Sequence, residues 1–418
     1  MSALDPKTRR VSDRYHRLLD EGAEPHEWAY AWRSELNRGG FRAVDFLREE
    51  VVEAGKCVGC AACVSICPVD VFDYADERPV DSRSSACVLC VLCVEACPVL
   101  RPPDRDLAEL LERREPVRDD GYGPYAYGLY ARAARPDLRE RAQDGGAVSA
   151  VLAHALAAGT IAGAVLGDVV SGETQLGRQK LATTEAEVVA CTGSRYTYSP
   201  NTLALREAVE RDVRPLAVVG VPCQVTGVRL EQNAGFSAAM AGWYRDGVAL
   251  TIGLFCSEAF THESVGRLAE MFGVPAERIA HVNIKGKVVV RLDDGTELSG
   301  SLRRYRELAR PACLYCLDYA AEHADLSAGG LGLEGWTMLV VRTEAGHRFL
   351  QAAIADGWLE TRPLADDPAG EELLRRLAAE KRRNRPLPAR MPTLAERRRL
   401  GHLDPKTFYT TGPGAPAG

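Results

Sequence analysis

"RPLAVVGVPC", residues 214–223, reads as an apolar strand that closes on a cysteine. "VALTIGLFC", residues 248–256, repeats the arrangement and closes on Cys256. Helix-like and strand-like segments alternate around them. "GGAVSAVLAHALAAG" (145–159), "NTLALREAVER" (201–211), "THESVGRLAEMFG" (261–273) and "AGHRFLQAAIADG" (345–357) read as helices. "GAVLGDVV" (163–170) and "GWTMLVVRT" (335–343) read as strands, and "KVVVRLDDGTEL" (287–298) as a hairpin. Such alternation predicts an α/β domain with a mixed sheet over residues 120–365. Groups at the carboxyl ends of parallel strands emerge on one edge, where ligands and cofactors gather. Cys223 and Cys256 are therefore expected to be neighbours.

A second pair, Cys313 and Cys316, lies in "RPACLYCLDY" (310–319), where Pro311 biases the chain away from helix. One reading makes them a thioredoxin-like pair and leaves Cys223 and Cys256 as buried structural thiols. The other folds the CxxC loop over the sheet edge, so that Cys223, Cys256, Cys313 and Cys316 hold one 4Fe-4S cluster. Each of the four ends an element in a polar or glycine-containing context ("VPCQ", "LFCSE", "PACLYC"), which favours the cluster. Cys191, in "VACTGSRY", is left over as a small core residue or cofactor neighbour.

The other eight of the thirteen cysteines lie between 57 and 97. "CVGCAACVSICP" (57–68) and "CVLCVLCVEACP" (87–98) are both CxxCxxCxxxCP. In that spacing three thiolates wrap one 4Fe-4S cluster and the fourth, before its proline, reaches the other. Cys57, Cys60, Cys63 and Cys97 are thus assigned to one cluster, and Cys87, Cys90, Cys93 and Cys67 to the second. Zinc sites close with four ligands in two separated pairs, and two identical compact quartets do not fit that pattern. Residues 51–105 are read as a small ferredoxin-like domain that carries electrons singly.

Before it, residues 1–50 read as a helical extension, with "VSDRYHRLLDEG" and "EPHEWAYAWRSELNRGG" amphipathic. After it, "LAELLERREPVRDD" (107–120) reads as a charged connecting helix. Residues 366–418 form a basic tail, with ten Lys or Arg against four Glu between 371 and 400. The bland reading of the tail is a solvated helix and a disordered end; the sharper one is docking on an acidic partner subunit. The net charge of −6 gives no reason to expect nucleic acid. The uncharged run 147–167 is long enough for a membrane span, but Ala, Gly, His154 and the Gly159-Thr160 break favour a buried helix and then a strand. The N-terminus lacks the apolar core of a signal peptide, and a cysteine-rich chain without one is expected in the cytoplasm.

Clusters move single electrons, so a two-electron converter is expected, and a flavin is the usual one. Gln143, Asp144, Gly145 and Gly146 stand at the mouth of a helix, where amides and the helix dipole favour phosphate. Ser194, Arg195 and Tyr196 can donate to phosphate or stack on a ring, and Gln224, beside Cys223, joins them as a cofactor-binding candidate. "GLGLEG" (330–335) matches GxGxxG by letters, but a turn-like piece precedes it and a strand follows, so it is not read as a dinucleotide fingerprint.

The ordered run "QDGGAVSAVL", "GSRYTYSPN", "GVPCQVTGVRL", "IGLFCSEAF", "CLYCLDYAAEHADLSAGG" and "GWTMLVVRTEAGHRF" resembles the family of coenzyme F420 hydrogenase/dehydrogenase beta subunits over roughly 120–350. The resemblance implies FAD as cofactor, coenzyme F420 docking against the flavin, and a cluster on Cys223, Cys256, Cys313 and Cys316. With the ferredoxin segment it implies a dehydrogenase that feeds three 4Fe-4S clusters and then partner subunits, a membrane-bound respiratory complex among them. Attachment would then be peripheral, on the cytoplasmic face. The rival readings are a ferredoxin-dependent flavin reductase acting on a pigment or other organic substrate, and a non-catalytic electron relay without flavin. The 50-residue extension and the tail depart from the family.

Overall fold

The computed structural model describes residues 43–87, 92–100, 107, 111–234 and 238–383. The two amphipathic N-terminal segments, Cys90 and the tail beyond 383 lie outside the described residues. The described residues form two compact units: one draws on those up to 107 and between 227 and 246, the other on those between 111 and 226 and between 247 and 383.

In the first unit, helix α1 (Ala43–Leu47) runs into a π-helical turn, Arg48–Glu53. Each cysteine motif contributes one short buried helix, α2 (Ala62–Ser65) and α3 (Leu92–Glu95). Ala61 enters α2 at φ 63° and Gly59 lies at φ 74°, so the backbone coils tightly between the cysteines. Small residues allow this, because a left-handed backbone is strained for any residue but glycine. An antiparallel hairpin, β1 (Phe72–Ala75) and β2 (Arg78–Asp81), separates the motifs.

The second unit is built on an eight-stranded mixed sheet of order β13-β3-β12-β11-β7-β6-β4-β5. The strands are β3 (Tyr127–Ala133), β4 (Gly163–Val169), β5 (Gly177–Ala182), β6 (Leu216–Gly220), β7 (Val248–Leu254), β11 (Leu326–Gly329), β12 (Thr337–Val341) and β13 (Leu359–Pro363). Strands β4, β6, β7 and β11 pair in parallel, and antiparallel strands flank them on both sides. The expected mixed sheet is therefore present. Helices α4 (Ala147–Ala157) and α5 (Glu344–Ala355) share one core with the sheet, through Val151, Leu350 and Ala353 against Leu250, Leu326 and Val341. On the other side, helix α6 (Pro368–Arg383) puts Leu374 and Ala378 into a core with Tyr122, Tyr130, Trp336 and Met338. A separate antiparallel sheet, β8 (Ile279–Ile284), β9 (Val288–Leu292) and β10 (Glu297–Gly300), has its own core around Phe260 and Tyr305.

Three expectations need correction. From residue 111 the charged connector is not helical: Arg113 bridges Thr343 and Arg118 bridges Tyr125 as extended chain. The strand read through Cys223 stops at Gly220, and Pro222 opens the helix Pro222–Gln232, since proline's fixed φ and missing N–H suit a first turn. The piece before "GLGLEG" is a strand, β11, and the glycines form the turn of the antiparallel β11–β12 hairpin. No helix follows them, so the dinucleotide fingerprint remains rejected. Among the described residues no helix is long and apolar enough to cross a membrane.

Candidate iron-sulfur and cofactor sites

Cys57, Cys60, Cys63 and Cys97 line one small apolar hollow in the first unit, together with Val51, Val58 and Val99. Burial pushes the Cys60 thiol well up, and the Cys97 and Cys57 thiols beside it add to the shift. Cys63 is raised by burial, then by Cys60, Cys57, Cys97 and Cys93. Cys97 is pushed up by burial to about 12, against backbone bonds from Leu100 and Val99. Three buried thiols, gathered with the half-buried Cys57, suit a cationic iron core, because a coordinated thiol is held deprotonated by the metal's own charge. These four are the residues that the spacing groups together. Of the second quartet, Cys67 and Cys93 are buried and Cys87 half-buried; the Val71 amide donates to Cys67 Sγ at 3.4 Å.

In the second unit a cavity of about 370 Å³ opens at the carboxyl ends of the four parallel strands. Gly167 and Asp168 of β4, Val219 and Val221 at β6, Leu254 to Phe260 after β7, and Ala328 to Leu331 at β11 line it. This is the edge where α/β sheets bind ligands, and the volume falls in the ~300–1,000 Å³ range of small-molecule sites. Of the flavin candidates, Gln143, Asp144, Gly146, Ser194, Arg195, Tyr196 and Gln224 reach its wall. Gly146, at φ 71°, caps α4, whose first residues Ala147 and Val148 also face the cavity. The amino end of that helix is a ready site for an anion.

Gly145 is absent from the wall. A Cβ there would sit 2.7 Å from the Ala131 carbonyl oxygen and 2.8 Å from the Thr337 amide, so glycine is required by the close approach of this loop to two strands. Arg195 folds back on its own loop: Nη1 donates to the carbonyls of Cys191 at 3.0 Å, Thr192 at 3.3 Å and Gly193 at 2.8 Å. Burial lowers its guanidinium, against the pull of Cys191 and Asp168. Gln224 is also an organiser, accepting from the Val221 amide at 3.0 Å and donating to the Ser199 carbonyl at 2.5 Å. Cys191 is buried in the sheet core and also lines the cavity wall.

The wall carries charges that sequence reasoning missed. Lys285, in the β8–β9 turn, pairs with Asp144 at 3.1 Å, and Arg306 pairs with Glu258 at 2.7 Å. Neither has a spacing signal, since each partner is remote in the chain.

Cys256 lies two residues beyond β7, on the same wall. Its amide donates to the Tyr319 carbonyl at 2.9 Å, which ties the CxxC loop to the strand end. Cys313 Sγ accepts from the Ala259 amide at 3.5 Å. Burial pushes the Cys256 thiol up to about 12; the Lys381 ammonium counters this and the Cys313 and Cys316 thiols add to it. Cys313 and Cys316 thus lie within electrostatic reach of Cys256. Cys223 stands half-buried in the first turn of its helix, between Val221 and Gln224 of the cavity wall.

A two-motif iron-sulfur unit and an α/β unit with a cavity at its parallel-strand ends define an iron-sulfur electron-transfer protein. Residues 56–100 match the 4Fe-4S dicluster domain. Residues 129–206 and 213–367 match the coenzyme F420 hydrogenase/dehydrogenase, beta subunit, N-terminal and C-terminal parts. The chain belongs to this family of coenzyme F420 hydrogenase/dehydrogenase beta subunits. It is 33% identical to the beta subunit of the coenzyme F420 hydrogenase of Methanothermobacter thermautotrophicus, over 62% of this chain and 92% of that protein. It is 30% identical to one of the subunits of the F(420)H(2) dehydrogenase of Methanosarcina mazei, over 80% of this chain and 91% of that protein. A chain of the F420-reducing [NiFe] hydrogenase complex from Methanosarcina barkeri superposes with a TM-score of 0.60 at 31% identity, covering 64% of this chain and 92% of that chain.

Proposed function

We propose that this protein oxidises reduced coenzyme F420 at FAD held in the 370 Å³ cavity and delivers electrons through three 4Fe-4S clusters to a partner complex, a respiratory one. The observation that carries this reading is Cys256, which lines the cavity and at the same time lies within electrostatic reach of Cys313 and Cys316. When bound, FAD would supply hydride acceptance and the clusters one-electron transfer.

The protein's own residues position these groups. The amino end of α4 and the Ser194 hydroxyl offer donors to the cofactor's phosphates. Lys285 and Arg306 put positive charge on the wall for an anionic coenzyme, each held in place by a carboxylate. Cys223 would complete the third quartet, and Cys90 the second. Hydride transfer needs no acid or base, and none is assigned. The relatives' names supply the coenzyme, and the cavity beside a sulfur site supplies the route.

Mixing anaerobically purified, flavin-loaded protein with reduced coenzyme F420 should bleach the flavin and regenerate the absorbance of the oxidised coenzyme. No change in either band would refute the donor.

A further inference from the structure

Helix α6 begins at Pro368, one residue past the end of the family match at 367. Its apolar stripe holds it on the sheet unit, and Lys381, three residues after the buried Ala378, is itself only 6% exposed. The Lys381 Nζ donates to the carbonyl oxygens of Cys256 at 2.6 Å and Ser257 at 2.8 Å. Two neutral carbonyls do not balance a buried ammonium, which is costly unless an anion lies close. Cys316, Cys256, Cys313 and Asp318 lie within its electrostatic reach. Cysteine sulfurs that ligate iron carry negative charge, and Lys381 is anchored to the backbone of one of these cysteines, Cys256.

We propose that Lys381 is the countercharge of the sulfur site formed by Cys256, Cys313 and Cys316 and raises that site's reduction potential. The inference rests on the reading that these cysteines hold a 4Fe-4S cluster. One-electron reduction adds one negative charge to the site, and a fixed cation in a water-poor interior favours the reduced state. No proton moves in this account. The bonds to the Cys256 and Ser257 carbonyls also fix the turn that carries the first ligand, so a substitution must separate charge from hydrogen bonding.

Lys381→Gln keeps a donor and removes the charge, whereas Lys381→Arg keeps the charge. Redox titration followed by electron paramagnetic resonance on the anaerobically purified full chain reads the site directly. In Lys381→Gln the reduced-to-oxidised ratio of one cluster should fall about tenfold or more at a fixed poise, a midpoint at least ~59 mV lower for a one-electron couple. Lys381→Arg should restore it, and the other two clusters should not move. Unchanged midpoints in a Lys381→Gln protein with full iron would overturn the inference and leave the cluster reading standing. Wild-type protein with only about eight irons per chain would overturn both.

Discussion

The Lys285 ammonium stands 3.1 Å from the Asp144 carboxylate, joining the small β8–β10 sheet to the loop that opens α4 at the cavity. Lys285 is 47% exposed and Asp144 only 13%, so the cation faces solvent at the entrance while its partner is held inside. A half-exposed charge is worth up to about 1 kcal/mol. Lys285→Met should therefore raise KM for reduced coenzyme F420 roughly two- to five-fold with kcat little changed. The difference should shrink as salt is added. Steady-state kinetics at two ionic strengths check this.

Gly145→Ala tests the strand approach. The added methyl would meet backbone at Ala131 and Thr337, which cannot swing aside as a side chain could. A loss of about 1–3 kcal/mol is expected, the usual cost of overpacking. Denaturant midpoints on the flavin-free protein would show it, since the effect does not depend on a ligand.

Arg342 is fully buried and spans the unit's interior, donating to Ser327 Oγ at 2.7 Å and to the carbonyls of Pro124, Tyr122 and Ala320 at 2.9–3.1 Å. Arg342→Met would leave these acceptors buried without their donor. Breaking such a buried charged network costs about 3–5 kcal/mol, so the variant should unfold at markedly lower denaturant or fail to accumulate.

Glu231, in the helix Pro222–Gln232, is completely buried, and burial raises its carboxyl from 4.5 to about 8 against a bond from the Ser65 hydroxyl. The sign follows from proton binding. Between pH 4.5 and 8 the folded protein holds this proton and the unfolded chain releases it, so this residue's contribution to stability falls as pH rises through that window. Glu231→Gln should remove that slope and be the more stable protein at pH 8. Thermal unfolding of both proteins from pH 5 to 8 measures it; parallel curves would refute the assignment.

The pattern of the sheet was legible wherever hydrophobic periodicity was strong, as in β6, β7, β12, α4 and α5. It was not legible in β5, whose "GRQKLA" is a polar edge strand, or in β11, where Leu326–Gly329 is small and four residues long. Nor did it show that Pro222 begins a helix, because a proline after an apolar strand reads equally well as its end. The dicluster segment was legible because its cysteines obey the spacing rule of such sites. The packing of Gly145 against two strands was not legible, since close backbone approach and anion binding leave the same letters in a sequence. Lys285 and Lys381 were invisible: each acquires its role from a partner more than a hundred positions away. The "KRR" run that contains Lys381 read as solvated charge, while the fold buries its first residue.

The central claim is that the four scattered cysteines and the cavity beside them hold a third cluster and a flavin. Anaerobic quantitation of iron and flavin in wild-type and Cys313→Ser proteins tests it most directly. The account predicts about twelve irons and one FAD per chain in the wild type and about eight irons in the variant. About eight irons in both, with no flavin, would contradict it.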